Sequence, residues 1–222
     1  LLPFRDAQAL VCAGCRTRWR PVVPPWCVRC GQPEPLFGPC RLCQAWPARL
    51  SQARSAVWLE GGARDAAHAL KYGGLPRIAR DLAAVMARLL PRPEPPAALV
   101  PLPLGPARLR RRGYNQSEWL ARGLAAHWRL PMAPHWLARS RETATQTALT
   151  PAARLANVAG AFAAPPAVAR QRRWPAVVLV DDVLTTGATL AAAAAALESA
   201  GVERITAVTF GRAAIPDFLE GA

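Results

Sequence analysis

The sequence predicts an α/β fold in which a parallel sheet is flanked by helices and preceded by a small cysteine-rich module at the N-terminus. Three observations carry this. Apolar runs of strand length alternate with helical patterns along residues 51–222, the arrangement that builds parallel sheets with ligands at the strand C-terminal ends. The run Val177, Val178, Leu179, Val180 leads into two acids and a turn rich in threonine and glycine. Six cysteines fall as three C-x-x-C pairs inside residues 1–50, a segment full of Pro, Arg and Trp with too little apolar periodicity to fold alone.

The elements follow in order. Residues 55–60 read as a strand, and 61–72 as a helix with Lys71 in its last turn and Gly73-Gly74 as its stop. An amphipathic helix is expected over 77–90, ended by the proline run 91–96, which is a connection and not a domain boundary. Residues 97–101 form a second apolar strand. Asn115 and Ser117 offer caps for a helix through Ala126, with Glu118 in its first turn. A short strand is expected near Trp136 and Leu137. Residues 140–151 are polar and threonine-rich, 152–158 can be helical, the strand 177–180 feeds an alanine-rich helix to about Ala200 stopped by Gly201, and 204–210 closes as a strand.

The cysteine pairs are Cys12/Cys15, Cys27/Cys30 and Cys40/Cys43. Two thiolates two residues apart ligate one zinc ion and a second pair completes the tetrahedron. The best closed site is Cys27, Cys30, Cys40 and Cys43, because the loop between these pairs is short and Gly31 and Gly38 permit tight turns. Cys12 and Cys15 are then left over: a remnant of another ribbon, or a replacement for one pair of the chosen site. The competing reading, buried free thiols, suits three regularly spaced pairs poorly. His68, His127 and His135 are scattered, so a structural Zn2+ is favoured over a catalytic one. Paired cysteines of this kind also suit a reducing compartment, the cytoplasm. No secretory pattern is read at the start of the chain, which opens with Leu1, and no apolar run is long enough to span a membrane because Arg and Pro interrupt each one.

At the end of the strand 177–180, Asp181 and Asp182 would point to opposite faces if the strand continued, so both address one ligand only if the chain leaves the strand there. The turn 184–189 is expected to do this. Thr185, Thr186, Gly187, Ala188 and Thr189 then present hydroxyls and backbone N–H groups at a helix start, where an anionic phosphate fits. The carboxylates can accept hydrogen bonds from vicinal hydroxyls or bind the waters of a magnesium ion. The alternative is a strand ending in solvated acids before an ordinary helix cap.

The formal charge is +14, which implies attraction to polyanions. Lys71 is the only lysine, and the abundance of Ala, Arg, Pro and Gly can equally reflect the base composition of a genome. Trp19, Trp26, Trp46 and Trp58 accompany the basic residues near the cysteine module and offer either stacking surfaces for single-stranded DNA or the module's own core.

The stretch 176–189, AVVLVDDVLTTGAT, resembles the phosphoribosyl pyrophosphate (PRPP) signature of the type I phosphoribosyltransferases. Together with the cysteine knuckles, LKYGG, VPLP, RRRGYNQSEWLARGLA and RETATQTALTPAARLANVAGAF, nearly the whole chain looks like the ComF family of competence-associated, phosphoribosyltransferase-like proteins with an N-terminal zinc ribbon. Many relatives carry four knuckles and this chain shows three. The resemblance implies a zinc-ribbon module over 1–50 and a phosphoribosyltransferase-like domain over 51–222. It gives the ribose hydroxyls to Asp181 and Asp182, and the 5-phosphate to residues 185–189. Pro101, Leu102 and Pro103 would form the loop at the pyrophosphate end, with Lys71, Arg110 and Arg112 neutralising charge and Mg2+ arriving with PRPP. Residues 139–150 correspond to a loop that closes over substrate, and Gln146, Arg154 and Asn157 belong to that loop and its hinge. The implied activity is pentosyl transfer, a glycosyltransferase reaction, linked to DNA uptake and natural competence. The alternative is an accessory protein that binds single-stranded DNA, keeps PRPP as a ligand and works with DNA-uptake proteins.

Overall fold

The computed structural model describes residues 9–33, 40, 42–141, 158–165, 168 and 176–214. Residues 142–150 of the expected loop, with Gln146, the hinge residues Arg154 and Asn157, most of the helix 152–158, and Gly38 lie outside the described residues.

In chain order, a short helix α1 (Ala13–Thr17) precedes β1 (Leu50–Trp58), α2 (Gly61–Tyr72), a 3-10 turn at Pro76–Ile78 and α3 (Ala79–Leu89). Then come β2 (Ala97–Pro101), α4 (Pro106–Arg112), α5 (Gln116–Trp128), a 3-10 turn at Pro134–Trp136, and the short antiparallel partners β3 (Ala138–Arg139) and β4 (Phe162–Ala163). The chain closes with β5 (Ala176–Leu184), α6 (Ala188–Ser199) and β6 (Arg204–Arg212). The main sheet is parallel throughout, in the order β1-β6-β5-β2.

Strand alternation sorts the side chains onto two faces. Val178 and Val180 of β5, Leu99 of β2 and Val208 and Phe210 of β6 pack against α2, α3 and α5. Val177 and Leu179, Ala98 and Val100, and Ile205 and Ala207 pack against α6 and the cysteine segment. Both faces are covered, which is why the strands read as apolar runs without polar alternation. Helix α2 buries Ala63, Ala66, Ala67 and Leu70, one stripe at helical spacing. Helix α5 is capped by Asn115, whose side chain accepts from Ser117 N–H at 3.1 Å. The outer edges of the sheet are also occupied: residues 131–133 bond to Leu99 beside β2, and Val22 N–H donates to Ala56 O beside β1.

Most elements lie where the sequence places them, and the differences have physical causes. The first strand begins at Leu50 and not near residue 55. Its start reads as polar, with Ser51 exposed, but pairs with β6 from Leu50 opposite Ile205, and Arg54 is buried with its guanidinium donating to Val28 O (2.6 Å) and Ala53 O (2.8 Å). Residues 134–136 form a turn, and the short strand begins at Ala138. Helix α4 follows from Pro106 at its first turn and Gly113 at φ 80° past its last, a pair of signals within the arginine run. The cysteine segment has no separate core, since Cys27, Cys30, Leu42, Cys43 and Trp46 share one apolar cluster with the sheet.

Helices α3 and α5 approach closely at Gly123, where a Cβ would stand 2.4 Å from Ala83 Cβ. Gly123→Ala is expected to force the helices apart and cost about 1 to 3 kcal/mol. Urea unfolding checks it, with Ala83→Gly in the same chain expected to restore part of the loss.

Candidate functional site

The site begins where two strands stop at different places. Pairing of β2 with β5 ends at Pro101 opposite Val180, whereas β6 stays paired with β5 to Leu184 opposite Arg212. From Asp181 onward β5 therefore has one free edge. Leu102 N–H donates to Val180 O at 3.0 Å, the last bond on that side. Strand groups alternate in direction, so the next N–H facing the free edge belongs to Asp182. Asp181 Oδ1 accepts it at 2.9 Å and also accepts from Ser117 Oγ at 2.8 Å. Asp182, 3 % exposed, points to the α2 side, where its Oδ2 lies 3.1 Å from Lys71 Nζ. That oxygen accepts no hydrogen bond of regular geometry. The sequence expectation that the chain leaves the strand at the acids is corrected here: the strand runs on to Leu184, and Asp181 instead turns its side chain onto the vacant edge.

Both carboxylates border a cleft of about 330 Å³. Thr185 and Thr189 line it, as do Leu102, Pro103 and Leu104 from the end of β2, whereas Pro101 is buried within that strand. Its cations are Lys71, Arg108, Arg111, Arg112 and Arg139. Arg110 does not line the cleft and is exposed elsewhere on α4. Positions 108, 111 and 112 share one helical face, and 110 falls outside it. Arg112 donates to Gln116 Oε1 and lies 5.2 Å over the Tyr72 ring, while Asn115 Nδ2 donates to Leu102 O at 3.0 Å and fixes the loop after β2.

Within the turn, Thr186 is 5 % exposed and directed inward, with Oγ1 3.5 Å from Ala188 N. Gly187 caps α6 at φ 79°, a left-handed conformation glycine adopts without strain. Sequence reasoning gave Gly187 to the approach of a ligand. A Cβ there would in fact stand 2.2 Å from Cζ2 of Trp46, so the close neighbour is the tryptophan following the second cysteine knuckle.

The acids are mutually unfavourable. Burial pushes Asp181 up to about 7, the charge of Asp182 adds to this, and the Ser117 hydroxyl and Lys71 pull the other way. Burial pulls Lys71 down, but Asp182 and Asp181 outweigh it and leave the ammonium above its ordinary value.

The Sγ atoms of Cys27, Cys30, Cys40 and Cys43 all lie within 4.8 Å of one another, with Cys27 to Cys43 at 3.7 Å and Cys30 to Cys40 at 3.5 Å. Sulfur atoms ~2.3 Å from one tetrahedral ion stand about 3.8 Å apart, so the donor set could bind zinc. Its surroundings agree. The Arg212 guanidinium, 1 % exposed, donates to Cys30 O at 2.7 Å and to Gln32 Oε1 at 3.0 Å. Among the described residues no carboxylate pairs with Arg212 or Arg54, and for both the thiolates oppose the downward pull of burial. Burial also raises the thiols of Cys30 and Cys43, the latter to about 12, so a metal ion would displace their protons. Cys12 and Cys15 are exposed and outside the cluster; the Cys12 side chain caps α1.

Of the four tryptophans near the module, Trp19 and Trp46 are core residues, 7 % and 5 % exposed, which decides for packing over a stacking surface at these two positions. Trp26 and Trp58 are half-buried, each with a guanidinium over its ring, Arg54 and Arg20 respectively. Sequence reasoning missed Ser117, taken only as a cap, and Arg212, whose partners lie far away in the chain. Arg108 and Arg111 were legible had the helix from Pro106 been recognised.

The family model described as phosphoribosyl transferase domain matches residues 69–215, more than half of the chain and all of this cleft. The chain is 33% identical over 177 residues to "DNA utilization protein YhgH" of Salmonella typhimurium, covering 74% of each chain. It belongs to the ComF family of phosphoribosyltransferase-like proteins. The ComF-family chain is also 37% identical over 119 residues to "Competence protein F" of Haemophilus influenzae, 53% of this chain and 51% of that one. It is 28% identical over 121 residues to "Competence protein ComFC" of Bacillus subtilis, 50% of each. The alignments thus span about half the length of these two competence proteins.

The raised Asp181 sets a pH dependence. Folded, this group holds its proton to about 7; its ordinary value is 3.8, so between these pH values the folded state binds more protons than the unfolded one. Stability contributed here falls as pH rises through that window. Asp181→Asn is expected to melt close to wild type at about pH 4 and at higher temperature than wild type at about pH 8. Thermal unfolding at the two pH values checks this, and an unchanged difference would sink it.

Proposed function

We propose that this ComF-family chain binds PRPP at the free edge of β5 and is a phosphoribosyltransferase, with Zn2+ in the four-cysteine cluster as a structural ion. The observation that carries it is the convergence of Asp181, Asp182, Thr185 and Thr189 on one cleft whose other wall is cationic. The start of α6, where Gly187 provides no side-chain cap, offers partial positive charge to a 5-phosphate. Asp182 Oδ2, buried and without a hydrogen bond, suits a ribose hydroxyl or a magnesium-bound water. Mg2+, when bound, would offset the charge of the pyrophosphate.

In the transfer, a nucleophile forms a bond to C1 of PRPP while the bond from C1 to the pyrophosphate oxygen breaks and its electron pair leaves with pyrophosphate. No protein nucleophile is required. Arg108, Arg111, Arg112 and Arg139 line the cleft where they can hold the departing anion, and Asp181 and Asp182 orient the sugar and favour positive charge developing on its ring. Ser117 and Lys71 keep the two carboxylates in place between turnovers. Six free cysteines are in keeping with a reducing compartment such as the cytoplasm, and no helix among the described residues is long and apolar enough to cross a membrane.

The names of the relatives support a role in DNA uptake or use, and with the charge of +14 they favour a second reading: an accessory protein that binds single-stranded DNA and keeps PRPP as a ligand. Production of pyrophosphate from PRPP with a panel of acceptors favours the enzyme. Salt-sensitive oligonucleotide binding without turnover favours the accessory protein.

Titration calorimetry with Mg-PRPP tests the site. Asp181→Asn with Asp182→Asn is expected to weaken binding by at least about 1 to 3 kcal/mol while the fold survives; equal affinity would move the site elsewhere. Metal analysis of protein purified without added zinc is expected to give one zinc per chain, lost in Cys30→Ser with Cys43→Ser but kept in Cys12→Ser with Cys15→Ser. A folded, metal-free wild-type chain would exclude the ion.

A further inference from the structure

The cysteine cluster and the phosphate turn meet through one side chain. Trp46 follows Cys43 by three residues, and its N–H donates to Cys43 O at 3.1 Å. Its ring lies against Gly187 at the start of α6, where the three atoms nearest an added Cβ all belong to it: Cζ2 at 2.2 Å, Cε2 at 2.9 Å and Cη2 at 3.2 Å. Such proximity to the cap leaves the turn 185–189 no room to collapse toward the module, and removing the ring would leave a void directly beneath it.

What holds the ring is backbone. Trp46 Nε1 is buried and has no hydrogen-bond partner among the described residues, so none of their polar groups fixes the indole. The Arg29 guanidinium, located between Cys27 and Cys30, instead donates to the carbonyls of Cys43 (3.0 Å), Trp46 (3.0 Å), Pro47 (2.6 Å) and Leu50 (3.1 Å). The loop carrying Trp46 is thus tied to the first knuckle of the cluster and to the start of β1. A second tie runs from Arg212, opposite Leu184 at the end of β5, to Cys30 O and Gln32 Oε1. Closing four thiols around an ion would fix both knuckles, and with them the ring.

We infer that Trp46 is a positioning residue of the phosphate turn, and that the four-cysteine cluster controls phosphate affinity through it, so that metal loss would switch off phosphate binding while leaving the cationic wall intact. This rests on the phosphate role of residues 185–189 argued above. The four cysteines do not line the cleft, so their influence would pass through packing alone.

The test compares two probes on the full zinc-loaded chain by calorimetry: ribose 5-phosphate, which needs the turn, and magnesium pyrophosphate, which needs the α4 cations. Trp46→Leu and Trp46→Ala are expected to weaken ribose 5-phosphate by about tenfold or more and to leave pyrophosphate within about twofold, with Trp46→Phe restoring most of the loss. Removing zinc with a chelator should give the same selective loss in wild type and little further change in Trp46→Leu. A mere loss of folding lowers both probes together and is seen in the circular dichroism melt; Trp46→Leu, the milder change, then decides. Equal ribose 5-phosphate affinity in wild type and Trp46→Leu, or parallel loss of both probes in a folded variant, overturns the inference. If wild type binds pyrophosphate but no ribose 5-phosphate, the phosphate reading of the turn fails, and the inference falls with it.

Discussion

The unequal reach of β2 and β5 is the constraint on which the site depends. Because β2 stops pairing at Val180 while β6 continues to Leu184, the tip of β5 is held on one side and open on the other. A strand tip paired on both sides would have no vacant N–H at Asp182, and Asp181 would point into the face that carries α6. With the edge open, Asp181 satisfies its neighbour's N–H and Ser117 reaches it from α5. Two adjacent residues that alternation should separate are thereby brought to one cleft. The arrangement needs α5 at a fixed height, which the Asn115 cap and the close approach at Gly123 provide.

Charge is the second organising feature, and both sites keep it out of water. At the strand tip two carboxylates sit side by side with Lys71 as the counter-ion of one and a hydroxyl as the support of the other, so Asp181 is held well above the ordinary carboxylate range. At the cysteine cluster the signs are reversed: the guanidiniums of Arg54 and Arg212 lie buried, with no carboxylate paired to them among the described residues. Buried cations of this kind need anions nearby, and four thiolates are the groups at hand. Each site is therefore incomplete in charge by itself, which is the usual condition of a site that takes a ligand.

The cysteine segment is part of the main body in every physical sense that the core provides. Its buried residues share a cluster with α6 and all four strands of the main sheet, Arg212 bonds across to it from β6, and Trp46 packs beneath the cap of α6. A segment that reads as an appendage in sequence thus closes one face of the sheet and stands behind the turn 185–189. The tryptophans show how this changes their meaning: Trp19 meets Phe210 edge-on at 5.2 Å within the opposite core, and Trp46 is spent on packing.

By itself the sequence determined what depends on local order: the helix 61–72 from its alanine stripe and double-glycine stop, the strand 97–101, the Asn115 cap, and the four cysteines whose short spacing lets them close on one point. The acids and the threonine turn were legible for the same reason, since their chemistry is packed into consecutive residues. Tertiary structure alone decided the rest. Nothing near Asp181 in sequence reveals that β2 ends early, that Ser117 turns from capping to bonding a carboxylate, or that Arg108, Arg111 and Arg112 face the cleft while Arg110 does not. Gly187 looked like an opening for a ligand and is filled from behind by Trp46. These are contacts between residues far apart in the chain, fixed by strand register and helix rotation, and periodicity carries information about one element at a time, not about how two elements meet.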